Sequence, residues 1–334
     1  MIMLINQILR LSLITDQLIQ RGLSIPSNLA FSIASTDFIE QNFLLPRYQQ
    51  FLESYEKKLP CLDSEALKIV EGLEKQGVYV TTLSALGIPC TKKFLKAGYS
   101  VAAELARRST SPVYADRHTL TATAKQLLLY PEIFWWGTSE RLLKIIEAYL
   151  QLPVAYDGLS VYYSLANGRN AGPRKWHRDK EDWKMVKVCV YLNDVDENGG
   201  PYECIRPDVN DYLVSTLRPK YRVLTHRKLE EHLNLQTTDW ITSCTGQAGT
   251  VIFADTARYY HRGKPPVDCD RSAIFFSYFS QRPKHPFFCG RSPLSDQQLA
   301  RLAEPLPPHL RQSVTWRKRL PGIGRYIPKN RVKV

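Results

Sequence analysis

With 334 residues and 44% hydrophobic content, the chain can bury one large core with accessory elements, or two modest cores. No run approaches the ~18 uninterrupted apolar residues of a membrane-spanning helix, which argues against an integral membrane protein. The net charge of +13 is high, and residues 301–334 hold nine Lys/Arg and one acid, Glu304. Such a segment can bind an anionic partner, but it is more often a solvated, partly disordered tail, and we expect a tail here.

The cysteines bear on the cellular compartment. They are odd in number and scattered, and no two form a C-x-x-C pair. This usage favours reduced thiols in the cytoplasm and disfavours a structural zinc site. They lie at positions 61, 90, 189, 204, 244, 269 and 289.

Residues 1–62 form a predicted N-terminal helical region. Its first apolar residues, Ile5, Leu9, Leu13 and Ile19, recur at helical spacing. Polar interruptions disfavour a signal peptide. We expect an amphipathic helix that packs on the body, with a membrane or partner contact as the alternative.

Helices also dominate the next segment, up to about residue 150. One helix follows Asp63, a plausible N-cap, and can end at Gly77, with Leu67, Val70 and Leu73 on one face. A β-branched run at 78–83 predicts a strand. Further helices are expected from Thr91 and from Thr138 or Ser139.

From residue 153 the pattern changes to short strands separated by turn-rich segments. This pattern predicts an antiparallel sandwich or barrel, and therefore a mainly β fold with helical support. The predicted strands are 159–165, 185–192, 201–205, 249–254 and 271–279.

Two connections between these strands carry further expectations. Asp196-Glu197-Asn198-Gly199-Gly200 is a hairpin signal, because Asn-Gly readily adopts positive φ angles. Residues 208–245 lack the strand pattern, so we expect an insertion with some helix of its own, often placed over a site. The insertion is basic, and if Arg218, Lys220 and Arg222 face a pocket, the substrate should be anionic.

The tripeptide His177-Arg178-Asp179 is the main candidate for chemistry. On an extended strand, residues two apart point to the same face. With His261 they could form a two-histidine, one-carboxylate set, which holds Fe(II) and leaves positions open. Taken singly, Asp179 could pair with Arg178 or Lys180 at the surface, and His261 could be an ordinary loop histidine.

Arg271 lies ten residues after His261, at the start of an apolar strand. It could be a surface charge. If it points into the fold, however, it is costly to bury without an anion, and a ligand carboxylate is the natural partner. The order of all four residues on loops and strand boundaries favours one joint site.

These segments resemble the iron(II)/2-oxoglutarate dioxygenases, and within them the phytanoyl-CoA dioxygenase-like group. The resemblance covers roughly residues 150–285. It is carried by W-H-R-D at 176–179, KVCVYLNDVDENGGPYECI at 187–205, FADTARYYH at 253–261 and DRSA at 270–273. The chain departs from the group at 206–210, where Arg-Pro-Asp-Val-Asn replaces a P-G-S-H-like turn, so acyl-CoA is not carried over as substrate.

The resemblance implies a double-stranded β-helix (jelly-roll, cupin-like) with helices packed on one sheet. We expect this domain at 63–290, including the insertion at about 208–245, followed by a basic C-terminal tail at 291–334. It implies His177, Asp179 and His261 as iron ligands. It further implies Arg271 as the anchor for the distal carboxylate of 2-oxoglutarate. An aspartate at 179 favours hydroxylation or desaturation over halogenation.

Three further residues are candidates for contact with 2-oxoglutarate. On the strand 185–192, Val186, Val188, Val190 and Leu192 share an aliphatic face suited to the helix-covered side. Lys187 and Tyr191 would then face the pocket, and Tyr162 on the preceding strand is similar. Packing, or snorkelling for Lys187, is the alternative for each.

The sequence thus predicts a cytoplasmic Fe(II)- and 2-oxoglutarate-dependent oxygenase that hydroxylates a small-molecule substrate with release of succinate and CO2. The substrate is expected to be anionic if the basic residues of the insertion face the pocket. No catalytic residue beyond the metal ligands is assigned. Two other classes stay open: a non-catalytic jelly-roll binding protein, and a basic nucleic-acid-associated protein in which residues 301–334 dominate.

Overall fold

The computed structural model describes residues 25–218, 220–234, 239–320 and 327. The amphipathic helix expected near residues 5–19 lies outside the described residues, as does most of the segment after Leu320. Residues 25–34 are helical. The other α-helices span Asp37–Ile39, Leu45–Tyr55, Ser64–Gln76, Leu83–Leu86, Thr91–Ser109, Ala124–Leu129, Pro131–Gly137, Glu140–Leu150, Pro207–Thr216, His226–Leu233, Asp296–Leu302 and Pro308–Val314, and Glu40–Leu44 is a π-helix.

The helix Ser64–Gln76 begins and ends as predicted. The Asp63 carboxylate accepts the Ala66 N–H at 2.9 Å, and Gly77 closes the helix with φ of 72°. Its predicted apolar face is wrong in part. Ala66, Ile69 and Leu73 are the buried residues, and Leu67 is 47% exposed. The small Ala66 marks the side that approaches the core closely, which a hydrophobicity pattern does not reveal.

Nine described strands form two antiparallel sheets. The larger sheet has the order β1-β7-β4-β9-β3-β2, and the smaller has the order β6-β5-β8. The mixed helical and antiparallel architecture is therefore confirmed. The strands are β1 Val78–Thr82, β2 Thr119–Thr121, β3 Val154–Ser164, β4 Val186–Tyr191, β5 Tyr202–Ile205, β6 Ile241–Cys244, β7 Thr250–Asp255, β8 His261–Gly263 and β9 Arg271–Ser280.

The two faces of the larger sheet bury different partners. The aliphatic face of β4 (Val186, Val188, Val190) packs into the main core with the helices, as its alternation predicts. The opposite face places Cys189 and Tyr191 in a second cluster, which includes residues of the smaller sheet such as Cys204 and Cys244. The two sheets therefore face one another, and a site between them would be shielded on both sides.

The hairpin predicted at Asp196–Gly200 is wrong. β4 pairs with β7 and β9, whereas β5 pairs with β6 and β8, so the segment crosses between sheets. The Asp196 carboxylate accepts the N–H groups of Asn198 and Gly199 at 2.9 and 2.6 Å. This local turn bends the chain, but turn chemistry does not decide which strand each arm pairs with.

The insertion expected at 208–245 has its own small core. Residues 208–245 supply most of it, from the helices Pro207–Thr216 and His226–Leu233 and the segments next to them, and Trp176 packs into it from just before the His-Arg-Asp tripeptide. Its buried apolar residues are Trp176, Ile205, Leu213, Leu217, Leu224, Leu229, Trp240 and Tyr260. The insertion is therefore a packed layer beside the metal-ligand candidates.

The described part of 291–334 is not a solvated tail. Residues 296–302 and 308–314 are helical, and Trp316 and Leu320 are 4% and 3% exposed. Trp316 meets Phe279 edge-on, with ring centroids 5.1 Å apart. For this described part the prediction is wrong, because the count of basic residues concealed apolar residues at helical spacing, such as Leu310 and Val314, which bury one face of a helix.

Two further sequence expectations can be compared with the described residues. The helices of the described residues are all too short or too polar to cross a membrane. All seven cysteines are free, in keeping with the expectation of reduced thiols. The cytoplasmic location stays a prediction.

Asp182 is a structural carboxylate, and its removal should destabilise the fold. It is 4% exposed, and its Oδ2 accepts the N–H and hydroxyl of Ser280 at 2.9 and 2.6 Å. Its Oδ1 accepts the N–H groups of Trp183 and Lys284 at 2.8 and 3.1 Å. Asp182→Ala should lower the free energy of unfolding by about 3 kcal/mol, because it leaves several hydrogen-bond donors inside the fold without an acceptor.

Urea unfolding of the purified variant measures this loss. Asp116→Ala is the control, since its carboxylate is 97% exposed and pairs only at the surface with Arg169. Equal unfolding midpoints for the two variants would contradict the structural role of Asp182.

Candidate metal centre

Backbone pairing brings His177 and His261 together. The N–H of His177 donates to the His261 carbonyl at 3.1 Å, and the N–H of His261 donates back at 3.0 Å. The two rings lie 4.3 Å apart, centroid to centroid. One ligand atom from each of His177, Asp179 and His261 lies within 4.8 Å of the others. The structure thus gathers the three predicted ligands, although His177 and His261 lie 84 positions apart in the chain (261 − 177).

Both imidazoles are oriented by the backbone two residues before them. The Nδ1 of His177 lies 2.8 Å from the Lys175 carbonyl, and the Nδ1 of His261 lies 3.1 Å from the Tyr259 carbonyl. A carbonyl can only accept, so each Nδ1 carries the proton and each Nε2 keeps its lone pair. The two Nε2 atoms lie 4.0 Å from opposite oxygens of Asp179.

Burial keeps these imidazoles neutral. It lowers the pKa of His177 to about 4 and that of His261 well below its ordinary value, although the nearby Asp179 acts in the opposite direction. Neutral imidazole is the form that binds a metal.

Asp179 is buried between cations. Its side chain is 1% exposed, and burial alone would raise its pKa. Arg291, 2.7 Å from Oδ1, and Lys187, 2.6 Å from Oδ2, instead hold the pKa of this carboxyl well below its ordinary value. The surface pairing with Arg178 or Lys180 is therefore not what the structure has. Two neutral imidazoles and an ionised carboxylate form a donor set suited to Fe(II).

A cavity of about 90 Å³ opens beside the histidines and has Arg271 in its wall. Arg271 is 7% exposed, donates from Nη1 to the Gly200 carbonyl, and has Nη2 3.5 Å from the Ser164 hydroxyl. Its Nε has no hydrogen-bond partner among the described residues. A Cβ at Gly263 would lie 2.9 Å from Nη2, so glycine there leaves the guanidinium its room.

The other candidates fall into two groups. Tyr162 and Lys187 line the cavity, and Tyr162 packs edge-on against Phe275. Tyr191 does not line it. The Tyr191 hydroxyl donates to the Cys244 carbonyl at 2.8 Å and accepts the Tyr202 N–H at 2.9 Å, so it is engaged with the smaller sheet. Contact of these three residues with 2-oxoglutarate stays a prediction.

The basic residues of the insertion do not line this cavity. The ammonium of Lys220 pairs with Asp37 and Glu40 at 2.5 and 3.4 Å, and Arg218 donates to nearby carbonyls. Arg222 is exposed. An anionic substrate was expected only if these residues faced the pocket, and they do not line it.

Three residues of the site were missed from the sequence. Arg291 contacts Asp179, Arg174 lines the cavity with an unpartnered Nε, and Tyr202 stacks on His261 with its hydroxyl unpartnered among the described residues. Arg174 lies two residues before the W-H-R-D segment, and Tyr202 follows the Asn-Gly turn, so their positions offered a weak signal. Arg291 offered none, because it was assigned to the tail.

No protein-family model matches the chain, and no curated protein matches it. Solved structures do match. HygX from Streptomyces hygroscopicus, with nickel and 2-oxoglutarate bound, is 15% identical, with 66% of this chain and 88% of that chain covered and a TM-score of 0.41. A non-heme alpha-ketoglutarate-dependent carbocyclase, SnoK from nogalamycin biosynthesis, is 12% identical, with 66% and 85% covered and a TM-score of 0.45.

EctD from S. alaskensis, with 2-oxoglutarate and 5-hydroxyectoine, is 12% identical, with 66% and 79% covered and a TM-score of 0.41. These structural neighbours are proteins of the metal- and 2-oxoglutarate-binding kind that the sequence resembles, and the phytanoyl-CoA dioxygenase-like group is not named among them. The similarities are remote, with each of these TM-scores below 0.5. The function of this chain therefore has to be argued from its own side chains.

Proposed function

We propose that this chain is an Fe(II)- and 2-oxoglutarate-dependent oxygenase. The observation that carries the proposal is the convergence of His177, Asp179 and His261, with both Nε2 lone pairs free, beside a cavity walled by Arg271. A buried, correctly protonated donor set next to a buried arginine suits a metal that shares its site with an anionic co-substrate.

The proposed fold is a double-stranded β-helix. Its support is the pair of facing antiparallel sheets, with helices covering the outer face of the larger one. We propose residues 63–290 as the oxygenase domain, including the insertion at 208–245, and add the folded segment up to Leu320, because Arg291 reaches the site from it.

Each residue has a defined task in this proposal. His177, Asp179 and His261 hold the iron, and the backbone acceptors of the two Nδ1 protons keep the rings in place. When bound, iron with 2-oxoglutarate and dioxygen supplies the oxidising power to hydroxylate a substrate C–H bond, with release of succinate and CO2. The protein holds the co-substrate and positions the substrate.

The charge of the cavity favours a dianionic co-substrate. Four cationic side chains line it: Arg174, Lys187, Arg271 and Arg291. Within the described part of the chain, the Nε of Arg271 and the hydroxyl of Tyr202 have no hydrogen-bond partner, and a carboxylate would satisfy both donors. We infer that Arg271 anchors the distal carboxylate, with Tyr162 and Lys187 as further contacts.

Anaerobic addition of Fe(II) and 2-oxoglutarate tests the proposal. We expect a visible charge-transfer band that needs both additions and is missing in His261→Ala. Succinate release from 2-oxoglutarate in air, screened against metabolite mixtures, then separates an oxygenase from a non-catalytic binding protein. A wild-type protein that binds neither Fe(II) nor 2-oxoglutarate would refute the assignment.

A further inference from the structure

Arg291 bridges two buried carboxylates next to the histidines. Its Nη2 lies 2.7 Å from Asp179 Oδ1, and its Nε lies 2.5 Å from Glu181 Oε1. The side chains of Asp179 and Glu181 are each 1% exposed, and that of Arg291 is 15% exposed. A planar guanidinium held at two of its nitrogens has little freedom to rotate, unlike an ammonium on a flexible stem.

The backbone that carries Arg291 is also fixed. Asp157 on β3 accepts the N–H of Gly290 at 2.8 Å and that of Arg291 at 3.5 Å. Gly158 lets this segment approach, since it has φ of 112° and a Cβ there would lie 2.4 Å from the Ser292 Cβ. The position of the guanidinium is therefore set by the larger sheet as well as by Glu181.

The two oxygens of Asp179 have different surroundings. Oδ1 lies 4.0 Å from His177 Nε2, but it is already bound to the rigid guanidinium of Arg291. Oδ2 lies 4.0 Å from His261 Nε2 and 2.6 Å from the ammonium of Lys187, which sits on a flexible four-carbon chain and can move away. Oδ2 is accordingly the oxygen available to a cation placed between the histidines.

We propose that Arg291, itself held by Glu181, is a positioning residue for the metal centre: it fixes Asp179 through Oδ1 and so presents Oδ2, which lies near His261 Nε2, to a cation bound by the two histidines. This inference rests on the proposed metal-binding function and extends it to the C-terminal segment. Mutating a residue that hydrogen-bonds to a metal ligand typically lowers the metal affinity by about 10–100-fold.

If Arg291 acted only through its charge, removing it would change the Fe(II) affinity in the opposite direction. A cation 2.7 Å from a ligand carboxylate repels an incoming Fe(II), so removing it should tighten binding if Arg291 acted only through its charge. If Arg291 acts by orientation, Arg291→Gln should weaken binding. Arg291→Lys should also weaken it, because lysine keeps the charge and lacks the fork that joins Asp179 to Glu181.

The experiment is an anaerobic titration of the metal-free full-length chain with Fe(II), repeated with Co(II), whose visible spectrum reports its ligand geometry. We expect about 10–100-fold weaker binding in Arg291→Gln, with a changed Co(II) spectrum, and weaker binding in Arg291→Lys. Glu181→Gln should weaken binding less, and should add little in the Arg291→Gln background, because it acts through Arg291.

Arg317→Gln is the matched control. Arg317 also holds the segment that leads to Arg291, since it donates to the Pro286 carbonyl at 2.6 Å. Its hydrogen-bond partners among the described residues include neither Asp179 nor Glu181. It should bind metal like the wild type. Unchanged or tighter binding in Arg291→Gln, or an equal loss in Arg317→Gln, would overturn the inference.

Two measurements keep the outcomes separate. Thermal unfolding of each metal-free variant identifies variants that fail to fold; if Arg291→Gln is among them, Glu181→Gln decides, and wild-type affinity there overturns the inference. If His177→Ala binds metal as tightly as the wild type, the proposed function itself fails. If metal binding depends on His177 but its affinity is unchanged in the Arg291 variants, only the positioning role is refuted.

Discussion

Alanine in place of His177 or Asp179 is expected to abolish Fe(II) binding. Each change removes one of three ligand atoms gathered within 4.8 Å, so the loss should exceed the roughly 10–100-fold typical of residues behind the ligands. Anaerobic titration of metal-free protein measures the affinity, and loss of 2-oxoglutarate-dependent succinate release should accompany it.

The matched control is His309→Ala, which removes an exposed histidine from the helix Pro308–Val314. It should bind Fe(II) like the wild type. Metal binding and turnover retained in both His177→Ala and Asp179→Ala would remove this site from the reaction.

Arg271→Ala should raise the concentration of 2-oxoglutarate needed for half-saturation by about 10–100-fold. A hydrogen bond to a charged group contributes about 1.5–3 kcal/mol, and the alanine variant leaves the distal carboxylate without its cation. Arg271→Lys should recover only part of the affinity, because lysine cannot reproduce the guanidinium geometry. Titration of the Fe(II)-loaded protein with 2-oxoglutarate under nitrogen measures both.

Arg262→Lys provides a comparison on β8, the strand that precedes Arg271 in the chain and belongs to the smaller sheet. Arg262 is as buried as Arg271, but it pairs with Glu203 at 2.6 Å and stacks on Trp176, 4.6 Å from the ring centroid. The affinity for 2-oxoglutarate should be unchanged in this variant. If Arg271→Ala binds 2-oxoglutarate with wild-type affinity, Arg271 is not the anchor.

The strands and the metal-ligand candidates could be predicted because their signals are local. Alternation places Val186, Val188 and Val190 on one face and Lys187 on the other, and the structure keeps that division. The spacing of His177 and Asp179 is likewise local, whereas His261 was placed by its setting between two strands. Backbone pairing of the two histidines then follows from the antiparallel arrangement.

The remainder depended on contacts between distant parts of the chain. The turn at Asn198-Gly199 determines a local bend but not which sheet receives the next strand. Tyr191 lies on the face of β4 opposite the helices, as alternation predicts, but it does not line the cavity as expected. Its hydroxyl instead bonds backbone groups of the smaller sheet, which local sequence cannot identify. Arg291 could not be found at all, because its partner carboxylates precede it by more than 100 residues.

The pairing of His177 with His261 also bears on folding. A metal bound to both would tie together two chain positions 84 residues apart and enclose the whole insertion in one loop. Closing a loop of that length raises the free energy of the unfolded chain by about 4.5 kcal/mol in the chain-entropy description used for disulfides. The ion would act as a reversible cross-link, whose release returns that conformational entropy to the unfolded chain.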